Sequence, residues 1–484
     1  MAQQFIILPS SGLTADSGQG REMLLEMAAA SHGADPRITL AGMGDVRILD
    51  VVQETGAKLV ETDEATAAAI NQSAVPIRAL PLVEYPKPRI FPHAEVRALG
   101  AGAGATAMVV SCRDGSTGGP VAGATVIGFT DFANNFGDRA VTDAQGQATL
   151  MLAGNSVERL YVYPPANYWG AYRAGLPVAN LSIDLEPVDL AYVDCVRHYY
   201  GATRFDPAVG VTVGVLDSGC GPHPDLNLMA GCATVTGESA QDWSDYDIHG
   251  THVSGLIGAS GGLRGMAPGV GIRAYRVFPM NGDGATNYAV LKAMFLAAQQ
   301  GCDIINLSLG GGPFDFVVEE AIEDACNQGM LVVVAAGNDD RSAVSYPAAY
   351  QGALAVSALG RETTFPAGSV EEGDVLRPPQ AADPLEFLAA FSNVGPEIAV
   401  AAPGVGTLST LPNGDYGPLS GTSMAAPVVA GAAACLLSQN PAVFAMPRNR
   451  SRSQAIYNLV VQNCARRHFG STFEGFGMPD PAVV

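Results

Sequence analysis

The sequence carries little charge for its length, and most of that charge is negative. Only 15% of its 484 residues are charged, and only three residues are lysine. The 47 acidic residues outnumber the 26 basic ones, which gives a formal net charge of -21. A surface of this sign repels phosphate backbones and anionic lipid headgroups. We therefore expect neither nucleic acid nor a membrane among the partners of this protein.

The amino-terminal residues lack the features of an export or membrane signal. No basic stretch precedes an apolar run there, and the apolar run itself is only FIIL at 5–8. A signal peptide or a membrane span requires a much longer apolar stretch. The sequence therefore predicts a cytoplasmic protein, or a secreted one if a leader has been removed from it.

The eight cysteines form no CxxC pair and have no metal-ligand spacing. Several lie inside apolar runs, which favours buried and mostly reduced thiols. We predict no bound metal and no cofactor. The positions are Cys112, Cys195, Cys220, Cys232, Cys302, Cys326, Cys435 and Cys464.

The chain is longer than a single hydrophobic core supports, about 250 to 300 residues, and its pattern changes twice. Residues 1–92 alternate short apolar strands with helical patterns, which predicts a small α+β domain. Three prolines in PKPRIFPH at 86–93 favour an extended connector at its end. Residues 93–188 hold short β-branched or alternating runs between turn residues, which predicts a β-sandwich domain.

Two segments of the middle region have the pattern of strands joined by tight turns. They are GGPVAGATVIGF at 118–129 and AVTDAQGQATLML at 140–152. Together they resemble the prealbumin-like sandwiches of the carboxypeptidase-regulatory type. This resemblance implies the same sandwich architecture for residues 93–188.

Residues 189–484 form the third predicted domain, and from about 205 continuous apolar strands alternate with helices. Strands that are apolar on both faces predict an α/β domain whose parallel sheet is flanked by helices. Such sheets place their functional sites at the carboxyl ends of the strands. Candidate residues are therefore sought where each apolar strand ends.

Three motifs place reactive side chains at predicted element boundaries. VTVGVLDSG at 211–219 ends a strand at Asp217, and DIHGTHVSG at 247–255 places His249 at a helix start. LSGTSMAAP at 419–427 places Ser423 where unpaired helix amides favour negative charge. Singly, each has an ordinary interpretation as a turn, a structural histidine or a helix cap. An acid, a base and a nucleophile at three such boundaries rarely coincide by chance.

The motifs DSG, HGTHVSG and GTSMAAP resemble those of the subtilisin (subtilase) family, over about 205 to 440. The resemblance implies a subtilisin-like fold and a serine endopeptidase that acts on proteins or peptides. It makes Ser423 the nucleophile, His249 the general base and then acid, and Asp217 the group that orients the imidazole. It also implies an oxyanion-hole amide at Asn338, which ends VVVAAGN.

The same resemblance implies two segments that bind an extended peptide as an added strand. DIINLSLGG at 303–311 corresponds to the wall of the primary specificity pocket, and MNGDGATNY at 280–288 to a second pairing strand. Ser345 stands at the pocket floor where many subtilisins have glycine, so we expect a smaller pocket. The predicted substrate-binding residues are Gly284, Ala285, Thr286, Ser308, Leu309, Gly310 and Ser345.

Two features depart from the family pattern. LIGASGGLRGMAP at 256–268 is shorter than the family segment that often wraps calcium and has no acidic cluster, so we predict that this calcium site is absent. An insertion at about 361–388, rich in Pro, Glu and Asp, is typical of a surface loop. Such a loop covers the site, binds a partner or is inert.

Many subtilisins carry an α+β propeptide whose tail fills the cleft, and residues 1 to about 85 have a similar order of strands and helices. This implies intramolecular inhibition by residues 1–92, in a zymogen that is either cut near 86–93 or remains intact. Two other function classes stay open: a pseudoprotease that binds peptides uncut, and an adhesion or carbohydrate-binding role of the middle domain. The complete triad and Asn338 favour the peptidase.

Overall fold

The computed structural model of the 484-residue chain describes residues 2–33, 35–90, 96–98, 105–201 and 207–482. The predicted boundary between residues 92 and 93 lies outside the described residues, as does the AGAG stretch at 101–104. The predicted start of the third pattern, at about 205, also lies outside them.

The amino-terminal unit is one antiparallel sheet covered by two helices. Asp63 begins the second helix by accepting a hydrogen bond from the Thr66 amide at 2.7 Å. Ile7 and Val60 pack under the helices, while Ile6 and Leu59 face the carboxyl-terminal unit. Burial of both sheet faces explains why FIIL is a continuous apolar run. Its elements are β1 (Gln3–Pro9), α1 (Gly18–Ala30), β2 (Arg37–Leu40), β3 (Gly44–Val51), β4 (Lys58–Thr62), α2 (Glu64–Gln72), β5 (Ile77–Pro81) and β6 (Glu84–Pro86).

The first five strands of this unit form the sheet, in the order β2-β3-β4-β1-β5. β6 lies apart from that sheet and pairs with a strand of the carboxyl-terminal unit. The amino-terminal unit therefore ends in a strand that belongs structurally to its neighbour.

The middle unit consists of two sheets around a common hydrophobic core. Val110 and Leu150 of one sheet pack with Val126 and Leu160 of the other. Its strands are β7 (Arg97–Ala98), β8 (Ala105–Asp114), β9 (Thr125–Asp131), β10 (Phe136–Val141), β11 (Gln147–Ala153), β12 (Ser156–Tyr163), β13 (Ala171–Pro177) and β14 (Leu181–Leu185). The sheet orders are β13-β12-β9-β10-β7 and β11-β8-β14.

The carboxyl-terminal unit has an α/β fold whose strands and helices alternate through most of its length. Its first elements are α3 (Cys195–Tyr200), β15 (Thr212–Asp217), β16 (Leu228–Ala233), α4 (His249–Gly258), β17 (Gly271–Arg276), β18 (Gly284–Thr286), α5 (Asn287–Gln299), β19 (Ile304–Leu307), α6 (Phe316–Asn327) and β20 (Leu331–Ala335). The later ones are β21 (Ala353–Arg361), β22 (Val375–Leu376), β23 (Glu386–Ala389), β24 (Ile398–Pro403), β25 (Thr407–Leu411), β26 (Asp415–Leu419), α7 (Thr422–Ser438), α8 (Pro441–Phe444), α9 (Arg450–Gln462), β27 (Cys464–Ala465), α10 (Ser471–Glu474) and β28 (Met478–Pro479).

The central sheet runs β16-β17-β15-β19-β20-β21-β23-β22, and β24 also pairs with β21. Its pairs are parallel except those that β23 makes. Successive residues of β19 and β20 pack into two different cores: Ile304 and Val333 lie on the α7 side, Ile305 and Val332 on the α5 and α6 side. Burial of both faces accounts for the continuous apolar strands, and it brings the strand ends to one edge.

The insertion at 361–388 differs from the surface loop that its composition predicts. Its carboxyl-terminal part pairs as β22 and β23 and extends the central sheet. Phe365 and Phe387 are buried in the core. A short 3-10 helix at Val370–Asp374 carries two buried carboxyl groups, those of Glu371 and Asp374. Interspersed apolar residues fold this acidic segment inward.

The eight cysteines are free thiols, six of them buried and two partly buried. Burial raises the pKa of the Cys220 thiol, three residues after Asp217, to about 12. A thiol with that pKa remains protonated and therefore poorly reactive near neutral pH. None of the described helices combines the length and apolar character needed to cross a bilayer.

Candidate active site

Asp217 and His249 form a buried, hydrogen-bonded pair. Asp217 is the last residue of β15, and His249 is the first residue of α4. Their Oδ1 and Nδ1 atoms lie 2.7 Å apart, and both side chains are almost fully buried. The carboxylate also accepts the Ser218 amide at 2.7 Å, which fixes its orientation. A carboxylate on Nδ1 leaves Nε2 as the ring nitrogen that can accept a proton.

Two opposing effects set the pKa of His249. Burial acts to lower it, because the imidazolium loses its hydration. The Asp217 carboxylate acts in the opposite direction through its charge and its hydrogen bond, and the pKa is raised above its ordinary value. The pair thus stabilises the protonated form of the His249 ring.

Asp245, which the motif analysis missed, joins the segment that follows Asp217 to the segment around His249. Its Oδ1 accepts hydrogen bonds from Ser218 Oγ at 2.9 Å and from the Ile248 amide at 3.0 Å. Its Oδ2 accepts the Thr251 amide at 2.8 Å. Ile248 has a φ of 113°, an uncommon conformation for a β-branched residue. The position of Asp245 four residues before His249 was the only sequence signal for it.

Ser423 is the second residue of α7 and lies where the helix meets β19. Its Oγ donates to the Ser308 carbonyl at 3.2 Å. Its own carbonyl accepts from Ser308 Oγ at 2.8 Å. That carbonyl would ordinarily accept the amide four residues later, but Pro427 has no amide proton. The proline thus frees the Ser423 carbonyl for the bond that ties α7 to Ser308, directly after β19.

Asn338 follows β20 and is fixed through its side-chain oxygen. Oδ1 accepts both the amide and the hydroxyl of Thr422, each at 2.9 Å. With the oxygen engaged there, Nδ2 is the group of Asn338 that can donate to a ligand. Asn338, His249 and Ser423 line one small cavity, which we call the active-site cavity. The three motif residues and the predicted oxyanion donor therefore converge.

The predicted substrate-binding residues lie in three segments of the carboxyl-terminal unit, and none of them lines the active-site cavity. Gly284, Ala285 and Thr286 form β18, and this strand pairs antiparallel with β6 of the amino-terminal unit. Ser308, Leu309 and Gly310 follow directly after β19. Ser345 Oγ bonds the Ala336 carbonyl at 3.1 Å, and a Cβ at Gly310 would lie 2.9 Å from that Oγ. Ser345 and Gly310 therefore face each other at close range.

His252, one turn after His249, has a structural position. Its Nε2 lies 3.0 Å from the Thr407 carbonyl and 3.2 Å from the Gly417 carbonyl. Burial and the nearby His249 lower its pKa to about 3, so the ring is neutral. It joins α4 to the β25–β26 hairpin. Across the described ranges, no three or more His, Cys, Asp or Glu side chains group as a metal site.

A buried acid–imidazole pair beside a serine at the start of a helix, at the carboxyl ends of parallel strands, defines a serine hydrolase with an α/β fold. The family model for the subtilase family matches residues 208–477. The chain therefore belongs to the subtilase family, and it is a subtilisin-like serine endopeptidase that acts on proteins or peptides.

Curated proteins similar in sequence to this chain are also subtilisins. The chain is 38% identical to subtilisin DY of Bacillus licheniformis over 254 residues, which are 51% of this chain and 83% of that protein. It is 38% identical to subtilisin BL of Lederbergia lenta over 235 residues, 48% of this chain and 78% of that protein. Subtilisin E of Bacillus subtilis is 37% identical over 256 residues, 51% of this chain and 61% of that protein. These alignments each cover about half of this chain.

Proposed function

We propose that Ser423 is the nucleophile of this endopeptidase, with His249 as general base and Asp217 as the group that orients it. The observation that carries this assignment is the 2.7 Å Asp217–His249 hydrogen bond beside a cavity shared by His249 and Ser423. A serine hydroxyl is scarcely ionised near neutral pH, so it needs a base to attack an amide. Nε2 of His249 supplies that base.

The reaction follows from these positions. Ser423 Oγ bonds to the peptide carbonyl carbon while its proton passes to His249. The negative oxygen that forms is stabilised by Asn338 Nδ2 and the Ser423 amide. His249 then returns the proton to the departing amine, which leaves an acyl-enzyme. Water, deprotonated by His249, releases the acid and restores the serine.

Labelling by a fluorophosphonate probe tests these roles. The full chain should form a covalent adduct at Ser423, and Ser423→Ala should form none. Asp217→Asn should fold but react far more slowly, because the imidazole loses its orientation and its counter-charge. An unlabelled wild type with no peptidase activity would favour the pseudoprotease reading. Labelling retained in Ser423→Ala would reject this nucleophile.

We also propose that residues 1–92 inhibit the enzyme from within the chain. β6 pairs with β18 as an added strand, in the manner expected for an extended substrate. Tyr85 of β6 is fully buried, and a Cβ at Gly312 would lie 2.6 Å from its ring. Its hydroxyl lies 3.5 Å from Asp315 Oδ2. The tail of the amino-terminal unit thus fills a ready-made side-chain pocket.

The residues after β6 approach the reacting groups. Lys87 Nζ pairs with Asp247 Oδ2 at 2.6 Å, two residues before His249. Arg89 and Ile90 line the active-site cavity itself. The rest of the unit is held by the Lys292–Asp50 ion pair at 2.6 Å and by contacts of its sheet with α5 and α6. A peptide entering the cleft must displace this tail.

Tyr85 offers a direct test of this inhibition. Tyr85→Ala removes the buried ring and should raise both the rate of fluorophosphonate labelling and the hydrolysis of an added fluorogenic peptide. Tyr85→Phe keeps the ring and is the matched control. Intact mass and amino-terminal sequencing, compared with Ser423→Ala, would show whether the chain is cut near 86–93 or remains whole. Equal rates in the three forms would reject inhibition by the tail.

For the domain organisation we propose a propeptide-like α+β domain at 1–92, a prealbumin-like sandwich at 93–188 and a peptidase domain at 189–484. Separate cores of the first two units support this division. For specificity we propose that Ser345 narrows the primary pocket, so that large aromatic side chains are disfavoured there. The close approach of Ser345 Oγ to Gly310 supports that proposal. The cytoplasmic location stays a prediction.

A further inference from the structure

A second cavity lies beside the active-site cavity, and the middle unit forms one of its walls. Its lining includes residues 163–166, at the end of β12 and directly after it, and Leu419 and Ser420, which precede the GTSMAAP motif. Ile90, Leu419 and Ser420 line both cavities, so the two are direct neighbours. Glu371 and Asp374 of the insertion line this second cavity as well. We call it the acidic pocket.

The direction of residues 84–90 along the cleft indicates which side of the scissile bond lies at the acidic pocket. Residues 84–86 pair with β18, and Lys87 then contacts Asp247. Ile90, further along the chain, reaches the acidic pocket. A substrate lying in the same direction would pair with β18 through residues before the scissile bond. It would present residues after that bond, on the leaving-amine side, to the acidic pocket.

The two carboxyl groups of the acidic pocket are buried. Glu371 is 2% exposed, and its Oε2 makes no hydrogen bond. In the part of the chain that the structure describes, no ion pair joins Glu371 or Asp374 to a lysine or an arginine. Burial raises the pKa of Glu371 to about 7, and burial together with the nearby Glu371 raises that of Asp374. Among the described residues, no cation therefore offsets the desolvation of these acidic groups.

The wall from the middle unit is fixed in place. Asn167 exchanges hydrogen bonds with Tyr416 through its amide at 2.7 Å and its Oδ1 at 2.9 Å. The Tyr172 amide and the Arg173 side chain both donate to the Gly368 carbonyl, at 2.8 and 2.9 Å. Trp169 is buried in the core of the carboxyl-terminal unit. The acidic pocket is thus formed before any substrate arrives, which lowers the entropy cost of using it.

We propose that the acidic pocket is a subsite for a lysine or arginine side chain on the leaving-amine side of the scissile bond. Pro164, Pro165 and Leu419 supply apolar walls for the methylene stem of such a side chain. Glu371 and Asp374 supply the carboxyl groups for its charged end. The inference rests on the proposed function, because it takes Ser423 and His249 as the reacting groups.

Matched peptides test the preference directly. Two fluorogenic peptides, identical except for arginine or its uncharged analogue citrulline at one leaving-side position, are compared on the full chain. Scanning that position over the first three leaving-side residues finds the one that reaches the pocket. We expect about tenfold higher kcat/KM for arginine at that position, seen mainly in KM, as for a charge-assisted hydrogen bond. In Glu371→Gln/Asp374→Asn the ratio should fall toward one, while the exposed neighbour variant Glu372→Gln should keep it.

A second measurement decides the question even if the full chain turns over no peptide. Ile90 lines the acidic pocket from the bound tail, so Ile90→Lys delivers an amine to it and Ile90→Met is the uncharged control. Lysine should raise the Tm relative to methionine by about 2 °C or more. This gain should disappear when both variants also carry Glu371→Gln.

The outcomes separate the two proposals. Equal kcat/KM for arginine and citrulline at all three positions in an active enzyme would overturn the subsite. In an inactive enzyme, the subsite would be overturned if the Tm difference between Ile90→Lys and Ile90→Met were the same with and without Glu371→Gln. Failure of Ser423 to react with a fluorophosphonate probe, in contrast, would reject the proposed nucleophile while the Tm comparison still reports on the pocket.

Discussion

Asn338 shows how neighbouring residues orient a single side chain toward a cavity. As a residue after a buried strand it has the ordinary form of a turn. Thr422 engages its oxygen twice, and the remaining amide nitrogen is the donor available to the active-site cavity. Thr422 is also the residue directly before Ser423. Ser423 and Asn338, the proposed nucleophile and oxyanion donor, are therefore positioned by one pair of hydrogen bonds.

Replacement of this donor should reduce catalysis more than binding. For Asn338→Ala we expect a 100- to 1,000-fold fall in kcat, about 3 to 4 kcal/mol of transition-state stabilisation, with KM little changed. Steady-state kinetics on a peptide substrate measure the two constants, and a Tm close to that of wild type confirms the fold. A fall in KM or an unchanged kcat would contradict the assigned role.

Asp245 makes a residue-scale prediction of a different kind, because it touches neither substrate nor reacting atoms. Its carboxylate is among the charges that raise the pKa of His249. Asp245→Asn removes that charge, so the acid limb of the kcat/KM profile should move to lower pH. It also replaces an acceptor oxygen by a donor nitrogen and should lower kcat about tenfold through a misplaced imidazole.

A pH profile separates this positioning role from a general loss of stability. Asp242→Asn is the matched control, because the Asp242 carboxylate bonds Tyr246 and Ser244 and not the residues that flank His249. The control should keep both the acid limb and kcat. If Asp245→Asn lowered only the Tm, with an unmoved profile, its carboxylate would have a structural role alone.

At the scale of elements, the contact between the middle and carboxyl-terminal units is the least expected feature. Trp169 is 1% exposed, and its ring lies 5.1 Å from that of Tyr192. The loop that carries it, between β12 and β13, bonds the β25–β26 hairpin through Asn167, and Tyr172 at the start of β13 bonds Gly368 of the insertion. Trp169 packs in the core of the carboxyl-terminal unit, and this contact between units holds the loop in place.

Burial of Trp169 in the core of the carboxyl-terminal unit predicts that its removal strongly lowers stability. Trp169→Ala should lower the free energy of unfolding by about 3 to 5 kcal/mol, because it leaves a cavity in the core of the carboxyl-terminal unit. Urea denaturation measures the change. Met151→Ala, at a residue 50% exposed in the same middle unit, should stay within about 0.5 kcal/mol of wild type. Equal effects of the two substitutions would show that the middle unit does not depend on this anchor.

For the whole molecule, buried acids couple stability to pH. The pKa of Glu371 is raised by burial from 4.5 to about 7, so the folded chain holds this proton more tightly than the unfolded chain. The free energy of unfolding should therefore fall as pH rises from about 4.5 to about 7, and this contribution should level off above that range. The loss from this one group is at most about 3 kcal/mol.

Glu371→Gln removes the titrating group and should flatten that part of the stability profile. Urea denaturation at several pH values between 5 and 8 compares the variant with wild type. The variant should gain stability relative to wild type as pH rises, while Glu372→Gln, an exposed neighbour, should follow the wild-type profile. Parallel profiles for wild type and Glu371→Gln would show that this carboxyl does not titrate as its burial requires.

The net charge of -21 acts on the same scale. A negative surface attracts basic peptides, and salt screens that attraction over about 10 Å at 0.1 M ionic strength. The charge therefore favours the approach of the same basic substrates that the acidic pocket is proposed to bind. Contact within the pocket is short-ranged and less sensitive to salt than the approach.

The sequence by itself determined the α/β class of the carboxyl-terminal unit and the family. Continuous apolar strands require burial of both sheet faces. DSG, HGTHVSG and GTSMAAP are short local motifs that can be identified without knowing their contacts. The same strand periodicity marked Asp217 and Asn338 as strand-end residues. These features depend on short stretches of chain, which a sequence displays directly.

The tertiary structure decided what depends on distant contacts. Asp245 has no motif, and its role arises because Ser218 and Thr251, far apart in sequence, both donate to it. The insertion at 361–388 has the composition of a loop, yet pairing with β21 turns part of it into sheet. β6 and the acidic pocket likewise join segments hundreds of residues apart. Composition reports the average solvation of a segment, whereas burial is decided by the partners that folding brings to it.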